Sequence, residues 1–106
     1  MNRGDIYWVD LNPTKGSEIN KKRPCVVVSA SAINRARSTV IIVPLSTKTT
    51  IRPPIVISVQ CLKKQVAAVC DQIRTVDKSR FGKLEGRLSI EDLENLDESL
   101  RQILTL

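Results

Sequence analysis

The chain contains no histidine. That excludes a histidine general base, a serine–histidine or cysteine–histidine couple, and any zinc site that needs imidazole. Aromatic residues are nearly as scarce, at 3%: Tyr7, Trp8 and Phe81. A single-strand binder built mainly on stacking needs several exposed rings, so that class is excluded too. There are three cysteines, Cys25, Cys61 and Cys70. An odd count without C-x-x-C spacing indicates neither a disulfide framework nor a zinc knuckle. Each lies in an apolar stretch, as a buried free thiol of a reducing compartment does. No apolar run approaches the roughly 20 residues that cross a bilayer, and MNRGDIYWVD lacks the apolar centre of a signal peptide. A soluble, cytoplasmic protein with no membrane partner is expected. No phosphate loop of the G-x-x-x-x-G-K-[ST] or G-x-G-x-x-G type occurs, nor a G-x-S-x-G elbow, and the acids do not cluster at metal-ligand spacing. No metal and no cofactor are expected.

With 106 residues, 42% of them apolar, the chain is long enough for one small core, read as one domain over residues 1–106. Its net charge of +6 is unevenly spread. Residues 1–83 carry 15 basic and 5 acidic side chains, whereas residues 84–106 carry 2 basic and 6 acidic ones. A cationic body with an acidic tail suggests a polyanion as partner, although small basic proteins are common and charge alone does not select nucleic acid.

The β-rich run Ile6 to Leu11 predicts a first strand. Asn12-Pro13 and Gly16 then open a polar loop of about ten residues reaching Lys22, a length that is often functional. Pro24 to Ala30 predicts a buried strand, Ser31 to Ser38 a short helix or turn, and Thr39 to Leu45 the most apolar strand. Ile55 to Val59 alternates as a strand, and Val66 to Val69 predicts another running into Asp71–Val76. Lys78 to Gly86 is basic and expected to be irregular, with Lys83 to Leu88 a possible short strand. Ser89 caps the one long helix, on which Ile90, Leu93, Leu96, Leu100, Ile103 and Leu104 recur at helical spacing. The expected class is α+β, a small, strongly curved antiparallel sheet or barrel closed by the C-terminal helix.

Without histidine, catalysis would have to rest on arginine, lysine, hydroxyls and carboxylates, a set suited to stabilising negative charge on phosphate oxygens. Three places supply it: the basic run through Arg23, the hydroxyls Ser46 and Thr47 at the end of the most apolar strand, and the polar group Asp71, Gln72 and Arg74. Each has a plainer explanation, as a solvated loop, a turn and an exposed edge. Taken alone, these features support a small basic domain that binds nucleic acid.

Read together, Gly4-Asp5-Ile6-Tyr7-Trp8-Val9-Asp10-Leu11-Asn12-Pro13-Thr14-Lys15-Gly16-Ser17-Glu18, Arg23-Pro24, Val43-Pro44-Leu45-Ser46-Thr47 and Asp71-Gln72-Ile73-Arg74-Thr75-Val76-Asp77 resemble the MazF/PemK family of toxins, in order and spacing, over essentially the whole chain. The resemblance implies an SH3-like barrel of the CcdB/PemK type, a homodimer, and a type II toxin–antitoxin role. It also implies metal-independent, sequence-specific cleavage of single-stranded RNA, in which the 2′-hydroxyl attacks the adjacent phosphorus to leave a 2′,3′-cyclic phosphate and a 5′-hydroxyl. A cognate acidic antitoxin is implied as partner. By the same resemblance Arg23, Ser46, Thr47 and Glu18 are the catalytic candidates. Lys15, Ser17, Lys21, Lys22, Asp71, Gln72, Arg74, Lys78 and Arg80 are RNA-binding candidates, with Arg52 and Lys83 further cations for the RNA backbone. Arg23 is assigned charge stabilisation, Ser46 or Thr47 a phosphate or 2′-hydroxyl contact, and Glu18 is the candidate base or a loop-holding group. Some relatives carry histidine at the position of Ser17 and arginine at that of Val69, so an acid–base scheme using those groups cannot operate here. Two other readings stay open: a gyrase-poisoning toxin of the related CcdB type, and a non-catalytic nucleic-acid-binding module.

Overall fold

The structure, a computed structural model, describes all residues from Met1 to Leu106. Seven strands, all paired antiparallel, form one curled sheet. They are β1 (Asp5–Asp10), β2 (Lys22–Val27), β3 (Thr39–Ser46), β4 (Val56–Cys61), β5 (Lys64–Val69), β6 (Arg74–Asp77) and β7 (Phe81–Arg87). Their order is β4-β5-β3-β2-β1-β7, with β6 added beside β3. Helix α1 (Ser31–Ala36) links β2 to β3, and α2 (Ile90–Leu104) closes the chain. Strand β3 joins the parts of the curl. Its first half pairs with β6, its middle with β2, and Leu45 and Ser46 pair with Ala68 and Ala67 of β5. The expected class, a curved antiparallel sheet with a C-terminal helix, is the observed one.

Side chains alternate across the pleat, so successive residues of a strand serve different cores. Val26, Val43, Leu45 and Val59 join Leu96 and Leu100 of α2 in the larger cluster. Cys25, Val27, Val40 and Ile42 join Val9, Leu11 and Val76 in the smaller one on the other face. Burial on both faces explains why β2 and β3 read as continuous apolar runs rather than alternating ones. Buried Asn34 of α1 is fully satisfied: its amide nitrogen donates to the carbonyls of Met1 and Ser29, and its carbonyl accepts from the Ser29 hydroxyl. Gly4, at φ +95°, lies where a Cβ would come within 3.2 Å of Leu93, so the strand start can approach α2 only without a side chain there.

The C-terminal helix begins as expected. The Ser89 hydroxyl accepts from Asp92 N at 3.0 Å. The Asp92 carboxylate does not complete the box by bonding back to Ser89; it accepts from Gln60 N at 2.8 Å and ties the helix to β4. Two expectations need correction. The irregular stretch expected from Lys78 is shorter than read: the short strand at Lys83 to Leu88 begins two residues earlier, as β7 (Phe81–Arg87), whose polar side chains are tolerated because it is a sheet-edge strand and follows β1 with two register shifts. Ile90, expected on the apolar face, is the first residue of the helix and is 80% exposed; the apolar contact begins at Leu93.

Leu96 is fully buried, and Leu96→Ala is expected to cost about 2–5 kcal/mol of stability. Ile90→Ala is expected to stay within about 0.5 kcal/mol. Denaturant unfolding of the two variants checks the difference.

Candidate active site

Arg23, expected at a strand start, is the second residue of β2, which begins at Lys22 rather than Pro24; it pairs with Val9 of β1, so the ladder fixes its backbone. Pro24, opposite Trp8, is also within the strand. The Arg23 side chain is half-buried and has no carboxylate within ion-pair distance. Its Nε donates to the carbonyl of Asn20 at 3.1 Å. Arg23 lines a cavity of about 310 Å³ that the structure builds from β1, β2, β3 and the β4–β5 hairpin, and its two terminal nitrogens have no hydrogen-bond partner in the protein. Ser46, the last residue of β3, and Thr47 line the same cavity, so three of the four catalytic candidates are brought together.

The Ser46 hydroxyl is buried and accepts from Lys48 N at 3.2 Å and from the Thr49 hydroxyl at 2.9 Å. A hydroxyl has two acceptor positions and one proton, so both acceptors are filled and the proton is left to donate. Of the cavity's eleven lining residues Lys22, Arg23 and Lys64 are cationic and none is acidic. An unpaired guanidinium, two hydroxyls and two lysines, mounted on strand ends, form a receptor for a phosphate group.

Sequence reasoning missed Trp8, Leu62 and Lys64 as parts of this cavity. Trp8 read as a strand residue, and the hairpin residues lie far from Arg23 in the chain. One signal was available at the hairpin. Leu62 and Lys63 form a two-residue turn between Cys61 and Lys64, and both have positive φ, 52° and 63°. Glycine or asparagine is the ordinary choice there. Leucine at that position costs about 1–2 kcal/mol of backbone preference and presents an apolar side chain to the cavity.

Glu18 is not in this cavity. It lines a second one, of about 450 Å³, with Ser17, Asp71, Gln72 and Arg74. Its carboxylate accepts from Lys15 N at 2.6 Å, and its own N–H donates to the Lys15 carbonyl at 3.1 Å, so it closes the tip of its own loop. Strand β3 leads from one cavity to the other, with Pro44 at the second and Leu45 to Thr47 at the first.

The RNA-binding candidates fall into two groups. Lys15, Ser17, Lys21, Lys22 and Asp71 are exposed. Gln72, Arg74 and Arg80 instead hold the β1–β2 loop by its backbone. Arg74 donates to the carbonyl of Leu11 at 3.2 Å, and Arg80 to those of Asp10, at 3.2 Å, and Asn12. Gln72 donates to the Ser17 carbonyl at 3.0 Å and accepts from Ile19 N at 2.6 Å. Lys78 sits half-buried in the 3₁₀ turn Lys78–Arg80.

The thiols are the remaining conventional nucleophiles. All three are buried and free, as expected. Burial pushes Cys25 up to about 12 and Cys70 to about 11, from an ordinary 9.0. Burial also raises Cys61, the one that borders the Arg23 cavity. A protonated thiol is a poor nucleophile, so the site holds no activated nucleophile of its own.

Comparison with known proteins identifies the family and the fold. Residues 2–104 match the family model described as the PemK-like, MazF-like toxin of type II toxin–antitoxin systems. The chain is 35% identical to endoribonuclease MazF9 of Mycobacterium tuberculosis, covering 100% of this chain and 98% of that protein. It is 29% identical to endoribonuclease EndoA of Bacillus subtilis, covering 100% and 96%. In fold it is similar to MazF from Deinococcus radiodurans, with a TM-score of 0.88 at 20% identity over 100% of this chain and 97% of the other. It is also similar to a mycobacterial endoribonuclease in complex with its cognate antitoxin, with a TM-score of 0.84 at 24% identity over 100% and 96%.

Cys25 and Cys70 are expected to be silent towards a disulfide reagent at pH 8 in the folded protein and to react fully in guanidinium. Time-resolved thiol titration checks this. Because both values are raised by folding, the stability tied to them is intact below about pH 9 and is lost as pH rises towards 11 and 12.

Proposed function

This chain belongs to the PemK-like, MazF-like family of type II toxin–antitoxin toxins, and from that premise we propose that its Arg23 cavity performs metal-independent cleavage of single-stranded RNA. It is a MazF-type toxin endoribonuclease, homologous to MazF9 and EndoA. The observation that carries the proposal is the placement of Arg23, Ser46 and Thr47 around one cavity free of carboxylates.

In the proposed reaction the scissile phosphate sits against the two terminal nitrogens of Arg23, whose planar fork matches two phosphate oxygens. The Ser46 proton and the Thr47 hydroxyl reach further phosphate oxygens or the 2′-hydroxyl. The 2′-oxygen forms the new bond to phosphorus and the bond to the 5′-oxygen breaks; the departing 5′-oxygen takes a proton from solvent water, leaving a 2′,3′-cyclic phosphate and a 5′-hydroxyl. Negative charge grows on the phosphoryl oxygens in the transition state, and fixed cations and donors lower its energy there. Since no carboxylate lines the cavity, the 2′-hydroxyl proton leaves to solvent, and Glu18 serves the loop rather than the reaction. Lys15, Lys21 and Lys22 hold neighbouring phosphates, and their contribution falls with salt. An acidic antitoxin segment competes for the same cations. The active form is a homodimer. A groove of about 290 Å³ along α2, bordered by Ile41, Leu104 and Leu106, offers a second copy an apolar face distinct from the Arg23 cavity. No helix is long and apolar enough to cross a membrane.

Incubation with mixed-sequence RNA in excess chelator is expected to yield discrete fragments with cyclic-phosphate ends. Binding without fragments, or inhibited supercoiling, would overturn the assignment. Arg23→Ala is expected to lower kcat by about 10²–10³-fold with unchanged thermal unfolding. Glu18→Gln keeps the acceptor for Lys15 N and is expected to stay within about tenfold of wild type, short of the 10²–10⁴ a general base supplies. Single-turnover cleavage assays check both.

A further inference from the structure

We propose that Gln72 is a positioning residue for the Arg23 guanidinium, acting through the backbone of the β1–β2 loop. The inference rests on the reading that Arg23 carries the cleavage step. Its starting observation is independent of that reading: both ends of the Gln72 amide are used on the loop. Its oxygen accepts from Ile19 N at 2.6 Å, and its nitrogen donates to the Ser17 carbonyl at 3.0 Å. This donor–acceptor match fixes the orientation of the amide and leaves it poorly placed to read an RNA base.

The Asn20–Lys21 peptide, two peptides beyond the Ile19 N–H, makes the link to Arg23. The Asn20 carbonyl, one residue beyond Ile19, accepts from Arg23 Nε at 3.1 Å. Gln72 holds Ser17 and Ile19 on one side of the Asn20 carbonyl, Asn12 Oδ1 accepts from Lys21 N at 3.2 Å on the other, and the carbonyl held between them receives Arg23 Nε. The loop has backbone ties at its root, where Leu11 N donates to the Lys21 carbonyl at 3.0 Å, and across its tip, but no strand partner between. Across that stretch the Gln72 amide holds the backbone, while the Ile19 side chain packs on the core beneath. Arg23 itself stays in β2 whether or not the loop is held, so losing the anchor would misorient the side chain without moving its Cα.

Gln72→Glu is nearly isosteric, removes the donor and sets a carboxylate oxygen against the Ser17 carbonyl; Gln72→Ala removes both bonds. Each is expected to lower kcat by about 10–100-fold, with KM within about twofold, because orientation matters most in the transition state. Amide exchange should quicken at Ile19 and its loop neighbours and remain unchanged at Val26. In an Arg23→Lys background, where Nε is absent, the further loss from Gln72→Glu should shrink below about threefold. A raised KM with kcat preserved would make Gln72 an RNA contact and overturn the proposal. Unchanged Ile19 exchange, or a full additional loss in the Arg23→Lys background, would overturn it as well. Full activity in Arg23→Ala would instead refute the role of Arg23 and the relay to it, while the exchange data would still report separately whether Gln72 anchors the loop.

Discussion

The site depends on one constraint: a guanidinium held within a β-ladder and given no carboxylate to neutralise it. Arg23 pairs with Val9 across β1 and β2, and its side chain spends only Nε, on a backbone carbonyl. An arginine on the preceding loop would find counter-ions or solvent. In β2 it is fixed beside Ser46, whose acceptor positions are already filled. The cavity therefore presents donors and positive charge, and a polyanion is the partner that completes it.

This arrangement explains how a protein with no histidine and with thiols locked in the protonated state can still break an RNA chain. In the proposed reaction the substrate brings its own nucleophile, so the protein has only to place the phosphate and stabilise the charge that develops on it. The second cavity then takes a supporting role. Gln72, Arg74 and Arg80 bind loop backbone, and Glu18 closes the loop tip, so the polar residues nearest the site in sequence act largely on the chain itself.

Much of the fold was legible in the sequence, because apolar runs and helical spacing report burial directly. β2, β3 and the Ser89 cap follow from such local signals. Strand β7 was legible only in its second half, since the start of its polar sequence FGKLEGR is set by edge pairing with β1, which leaves no periodic trace. At the site, Arg23, Ser46 and Thr47 stood out through their residue types and motif context. Trp8, Leu62 and Lys64 did not, because only the curl of the sheet brings the β4–β5 hairpin against β1 and β2. The structural duties of Gln72, Arg74 and Arg80 were equally hidden, because their partners are carbonyls and amides, which every residue carries.

The claim that the substrate supplies the nucleophile is tested most directly with an oligoribonucleotide carrying a single 2′-deoxyribose on the 5′ side of the mapped cut. The account predicts no detectable cleavage at that phosphate, with affinity within about threefold of the all-ribose strand, because the phosphate contacts survive and only the attacking oxygen is gone. Cleavage there at an undiminished rate would contradict it, since some other group would then have to attack the phosphorus.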